Sequence, residues 1–329
     1  MKITNSLYAA LACLIGAWSL STTALAETNM RVISAWAPTL AQVKGVLYKF
    51  EENVTKASNG EIKFQNSGPE TVPPFDQFQP LSAGVFDILY AASAYHQAQS
   101  GLSLAMQLFG DVNNVRKAGV LDYVNDYYRK KFGVEILALI RSPENTFVLK
   151  EAIETGSTLK GRKIRSNPLY DSAVRRLNAV PVAMGPADAY AAMQKGTLDG
   201  IAFPLHATAD FKLYEVGKFM TSPGFGQSVD LLLANSKKLA ALPIEQQKII
   251  REQALKMEQE GTAFMRAMAD QQTKTMQDNG VKMTQFSPEV AAAIDQSFAA
   301  GVIEVAHKSD PAAVDAMLEL ARSKGVLRY

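Results

Sequence analysis

The side chains able to do chemistry are few, and their types favour binding over catalysis. Arg165 ends a short strand-like run, Lys163-Ile164-Arg165, just before a helix is predicted to begin. A guanidinium at the carboxyl end of a strand, beside a helix N-terminus, sits where open α/β sheets hold ligands. Its planar fork of N–H donors matches a carboxylate or another planar-faced acid such as a sulfonate. The competing reading is a surface ion pair with a nearby acid such as Asp171. The three histidines, His96, His206 and His307, lie too far apart in sequence to pair at helical metal-ligand spacing. His96 and His206 could each line a cleft or simply pack, and His307 reads as solvated. There is no HExxH, GxSxG, P-loop or dinucleotide glycine fingerprint, so no cofactor and no metal are expected. A Ser–His–Asp site assembled from distant residues stays open, because triads obey geometry and not chain order.

Periodicity gives the elements that must position these groups. Asn167 can cap the helix after Arg165, and Pro168 suits its first position, where a missing N–H costs nothing. Leu169, Ala173, Val174 and Leu177 recur at helical spacing before Val180-Pro181-Val182 resumes an extended run. Upstream, residues 30–36 read as extended. Leu40, Val43, Leu47, Phe50 and Val54 then mark the buried stripe of a helix. Glu61-Ile62-Lys63-Phe64 alternates like a half-buried strand, and residues 85–90 read as the next one. Alternating strand and helix signals imply mainly parallel sheets flanked by helices.

Two longer features stand out. Ala83-Gly84-Val85-Phe86-Asp87-Ile88 is echoed by Lys195-Gly196-Thr197-Leu198-Asp199-Gly200. In each, a helix stops at glycine and an apolar-Asp pair leads into a strand; Asp199 is read as fixing the 196–200 turn. Residues 243–279 lack proline after Pro243 and keep a helical stripe through Ile250, Ala254, Met257, Phe264 and Met268. A helix of that length spans roughly 55 Å, more than one lobe is wide. It is expected to cross the molecule, either bent near Gly261 or broken there into two. Residues 288–324 read as two further amphipathic helices.

Bulk properties narrow the classes. Lys2, a mostly apolar run over residues 7–20 and Ala24-Leu25-Ala26 make the three regions of a secretory signal peptide, with cleavage expected after Ala26. Removing Lys2 takes the net charge from +2 to +1 (2 − 1 = 1). That near-balance gives no electrostatic footprint for nucleic acid. The single cysteine, Cys13, would leave with the leader, so no disulfide is expected. The remaining chain, about 300 residues, exceeds what one core usually supports, so two domains are expected.

At the level of whole segments, LKGRKIRSNPLYDSAVRRLNAVPVAM, then AYAAMQKGTLDG, then FP and FKLYEV, follow one another over residues 159–217. This order resembles the substrate-binding proteins of tripartite ATP-independent periplasmic (TRAP) transporters of the DctP type, and the likeness extends from VISAWAP through the long helix. The resemblance implies an α/β, two-lobed periplasmic-binding-protein (flytrap) fold with mixed sheets flanked by helices and a long helix spanning both lobes. One lobe would comprise residues 27–143 plus about 230–262, the other 144–229 plus about 263–329. It also implies a small organic-anion ligand, delivered to a small and a large integral membrane subunit, with the binding protein itself a periplasmic monomer and not an enzyme. Arg165 falls on the family's carboxylate-binding arginine. Asn145 falls where sialic-acid-type members carry a second arginine, and Phe203 where many members have asparagine before the shared Pro204. Those departures point to a monoanion with an apolar or aromatic part. Phe203 would stack on it or else serve the core. Trp36, Tyr95, Tyr170 and Glu70 are the further expected lining residues. A periplasmic enzyme, or a sensor presenting a similar acid or sulfonate, is the alternative.

Overall fold

The computed structural model describes residues 27–153 and 158–329. The expected signal peptide lies outside these residues. The chain first forms β1 (Thr28–Ser34), β2 (Ile62–Ser67), β3 (Ile88–Ala92) and β4 (Val134–Arg141). It continues through β5 (Asn145–Leu149), β6 (Lys163–Ser166), β7 (Val180–Ala183), β8 (Gly200–Pro204) and β9 (Phe219–Thr221). β10 (Val229–Asn235) and β11 (Lys282–Thr284) complete two sheets, ordered β2-β1-β3-β10-β4 and β11-β9-β5-β8-β6-β7.

Both sheets are mixed, as the family resemblance implied and against the mainly parallel pairing that strand-helix alternation alone suggested. β1 runs parallel to β2 and β3, but β10 inserts antiparallel between β3 and β4. In the second sheet β6 is parallel to β7 and β8, while β5 is antiparallel to β8 and β9. The antiparallel strands are those that follow a crossing between sheets, at residues 142–144 and 222–228. Strand-helix alternation cannot reveal them, because each crossing replaces a helical return with a direct one.

The long helix is continuous over Ile244–Asp278, 35 residues, and does not break at Gly261. A β-carbon at Gly261 would lie 3.3 Å from Ile140 Cγ1, so the glycine lets the helix press onto β4. Ile250, Ala254, Met257 and Met265 bury into the core of the first sheet, and Met276 into that of the second. One rigid rod therefore serves both lobes. Its middle is fixed by Glu258, which accepts from Leu139 N at 2.8 Å and from Arg116 Nε at 2.6 Å. The C-terminal helices, Pro288–Ala306 and Pro311–Ser323, bury Ile294, Phe298, Val302, Val314 and Met317 in a core that reaches from Ile33 to Ile164.

The internal echo has a structural basis. Gly84 and Gly196 both take positive φ, 76° and 79°, which glycine adopts without strain. Asp87 Oδ2 then accepts from Arg31 N at 2.8 Å, and Asp199 Oδ2 from Lys163 N at 2.7 Å. Each aspartate thus pins the first part of a neighbouring parallel strand. For Asp199 that strand is β6, the carrier of Arg165, so its role reaches beyond the turn.

Three local boundaries differ from the sequence expectation. The helix after Arg165 begins at Asp171, because Asn167 Oδ1 accepts from Leu169 N and closes a turn first. β3 begins at Ile88, after a turn in which Gly84 takes positive φ and the Asp87 side chain reaches back to Arg31 N. Leu40 is 40% exposed, whereas Val43, Leu47, Phe50 and Val54 are buried as the stripe requires. The first turn of that helix, Val43–Tyr48, is wound as a π-helix before Lys49–Ala57 becomes regular.

Candidate functional site

A cavity of about 390 Å³ lies between the two sheets. Trp36, Leu40 and Tyr95 wall it on the side of the first sheet, and Arg165, Tyr170 and Phe203 on the side of the second. Met268 of the long helix also reaches it, so three parts of the fold converge there.

Arg165 occupies the carboxyl end of β6, and its residue is 7% exposed. Nε donates to Met184 O and Nη1 to Ala202 O, both at 3.0 Å. These two carbonyls hold the guanidinium in place without neutralising it. Nη2 has no protein acceptor among the described residues, and no ion pair with Asp171 is formed. Burial lowers the Arg165 pKa, with Tyr170 opposing the change; guanidinium stays charged in any case. The Phe203 ring centroid is 5.5 Å from the guanidinium carbon, within cation–π range. Phe203 belongs to a core cluster, packs edge-on against Phe211 and also lines the cavity.

The other expected residues fall into three groups. Trp36, Tyr95 and Tyr170 line the cavity. Trp36 packs against Tyr90 with centroids 4.8 Å apart, and Tyr95 against Phe75 at 4.8 Å. Tyr170 is buried to 5% exposure, and burial pushes its phenol up to about 12. Asn145, fully buried at the start of β5, does not line the cavity. Its Oδ1 accepts from Tyr170 Oη at 2.8 Å, so it holds a lining residue in position. Glu70 is not brought to the cavity. Its Oε1 accepts from Gly68 N at 2.8 Å, and it edges a separate space of about 90 Å³ behind Trp36.

Asp230 was not singled out in the sequence, whereas His206 was left open between lining a cleft and packing. Asp230 of β10 is 3% exposed, and burial pushes its carboxyl up to about 7, against bonds from Ser142 and Tyr90. His206 lines the cavity with a buried, unpartnered Nδ1; burial pulls its pKa down to about 4, with Asp210 opposing. The neutral ring therefore prevails near pH 7. His96, by contrast, is a packing residue: it stacks on Phe78 at 4.5 Å and meets Tyr128 Oη at 2.9 Å. The one signal for Asp230 was a lone acid inside an otherwise apolar strand, VDLLLAN.

Among the described residues, no cluster of histidine, cysteine and acids could hold a metal ion, and no helix is long and apolar enough to cross a membrane. A polar fork, aromatic walls and two lobes describe a capture site. The family model of the bacterial extracellular solute-binding proteins, family 7 (DctP), matches residues 33–308. The chain belongs to this family. Solved structures that it resembles include several TRAP periplasmic solute-binding proteins. A solute-binding protein of Sulfitobacter sp. strain NAS-14.1 is 27% identical over 72% of this chain and 75% of its own length. The 2,3-diketo-L-gulonate-binding periplasmic protein YiaO of Escherichia coli K12 is 25% identical over 86% and 88%. A TRAP periplasmic solute-binding protein of Desulfovibrio salexigens, crystallised with bound orotic acid, superposes with a TM-score of 0.73. At 19% identity, over 90% of this chain and 98% of the other, that likeness shows the two-lobed fold.

Proposed function

We propose that this solute-binding protein captures a small organic anion, a monocarboxylate with an apolar or aromatic part, and delivers it to the small and large TRAP membrane subunits. The observation that carries this reading is Nη2 of Arg165, part of a buried cation that faces the cavity with no acceptor on Nη2 and no ion pair among the described residues. A ligand carboxylate completes the fork with charge-assisted bonds in a water-poor space. Trp36, Tyr95, Tyr170 and Phe203 supply flat apolar faces, which select a compact or planar body. The relatives support an acid ligand, since one is named for 2,3-diketo-L-gulonate and another holds orotic acid.

On this reading the lobes divide at residues 142–144 and 222–228, where the chain passes between sheets, and hinge there about the long helix. A ligand that touches both walls stabilises the closed form. The protein works as a periplasmic monomer, exported by the leader at residues 1–26.

Isothermal titration with a panel of carboxylates and sulfonates tests the reading. Arg165→Ala weakens binding of the best ligand by roughly 2–5 kcal/mol, because the carboxylate is then buried without its partner. Unchanged affinity refutes the role of Arg165. Recovery of the ligand unaltered after incubation separates a receptor from an enzyme.

A further inference from the structure

Arg165 is not the only buried charge-bearing group on the cavity. Asp230 lies on β10 of the five-stranded sheet, whereas Arg165 lies on β6 of the six-stranded one. Both line the same space, and neither forms an ion pair among the described residues. Ser142 Oγ donates to Asp230 Oδ2 at 3.3 Å and Tyr90 Oη to the same oxygen at 3.5 Å. Oδ1 has no protein donor among the described residues. Leu40, Phe203, Phe211 and Met268 add apolar surface to the lining, beside the polar Gln42, Asn167, His206 and Asp210. The cavity therefore offers a donor fork at one wall, an unfilled acceptor at the other and apolar faces within a mixed lining.

Resting on the carboxylate reading above, we propose that Asp230 is a second recognition group, accepting a hydrogen bond from an N–H or O–H of the ligand. The ligand class is then a monocarboxylic acid that carries a hydrogen-bond donor away from its carboxylate. Three consequences follow from the chemistry. A donor fills the open position on Oδ1, which no side chain or backbone N–H among the described residues reaches. At pH 8, where the Asp230 carboxyl raised to about 7 is ionised and where the titrations are run, a second ligand carboxylate at that place meets like charge in a low-dielectric space, so dicarboxylates are rejected. A donor-bearing ligand also ties β10 to β6 across the cleft, so the same group that selects the ligand favours closure.

Matched probes test this by isothermal titration on the full mature chain. The pairs are 4-hydroxyphenylacetate against phenylacetate and 4-hydroxybenzoate against benzoate, with terephthalate as the diacid. The wild type binds the donor-bearing member of at least one pair at least tenfold more tightly, and binds terephthalate most weakly. Asp230→Leu removes the preference within the pair, and Asp230→Asn improves terephthalate binding while thermal unfolding verifies that both variants fold. Equal affinities within both pairs in the wild type overturn the proposal even if no variant folds, as does a preference that survives in Asp230→Leu. Failure of the wild type to bind any of the monocarboxylates overturns the carboxylate reading itself, and this inference with it.

Discussion

Tyr170 Oη donates to Asn145 Oδ1 at 2.8 Å, tying the turn after Arg165 to the first residue of β5. Asn145 in turn donates from Nδ2 to Phe225 O at 3.2 Å, in the segment that returns the chain between sheets. The cavity wall and the crossing are thus joined through one buried amide. Tyr170→Phe keeps the ring but leaves a fully buried amide oxygen without its donor. The variant loses about 1–3 kcal/mol of stability, measured by urea unfolding. An unchanged midpoint with an unchanged slope shows that the bond contributes nothing net.

Asp230 gives the ligand-free protein a pH dependence with a definite sign. Its folded-state pKa is raised from 3.8 to about 7, first by burial. A group raised in this way contributes stability that is fully present below the unfolded value and lost as pH rises through the folded one. Asp230→Asn abolishes that loss. Relative to wild type, the variant gains stability between about pH 4 and about pH 7, by up to about 4 kcal/mol, and gains no more above that window. Parallel stability curves for the two proteins across this range contradict the prediction.

The clamp on the long helix makes a separate prediction. Glu258 has a side chain 2% exposed, and Arg116 meets it through Nε and Nη2, both at 2.6 Å. Arg116→Ala strands a carboxylate against β4 and destabilises the protein by about 3–5 kcal/mol. Replacing both residues by methionine restores much of that loss, because burying an intact ion pair is itself expensive. Chemical unfolding of the single and double variants reads the difference; a double variant as unstable as Arg116→Ala contradicts it.

How far the sequence alone reached depended on the kind of signal each element carried. Arg165 could be found because a strand ends visibly at Lys163-Ile164-Arg165 and an Asn-Pro turn follows it. The long helix was readable because its stripe repeats from Ile250 to Met268 and no proline interrupts residues 244–278. Asp230 was hidden for the opposite reason. All seven residues of β10 are buried, so no period-two alternation marks which face meets the cleft. Leu40 was assigned to a buried stripe on spacing alone, yet the π-wound turn that begins at Val43 leaves it beside the cavity. Glu70 had only its place in a proline-rich loop to recommend it, and its carboxylate is engaged locally by Gly68 N. The antiparallel insertion of β10 between β3 and β4 is a non-local pairing, beyond what any local pattern encodes.

The most direct measurement is a crystal structure of the protein with its captured acid. Arg165 Nη2 should lie within about 3.2 Å of a ligand carboxylate oxygen, with Nε and Nη1 still on Met184 O and Ala202 O. An acid bound with its carboxylate elsewhere, and the Arg165 guanidinium turned to bulk water, contradicts the central claim.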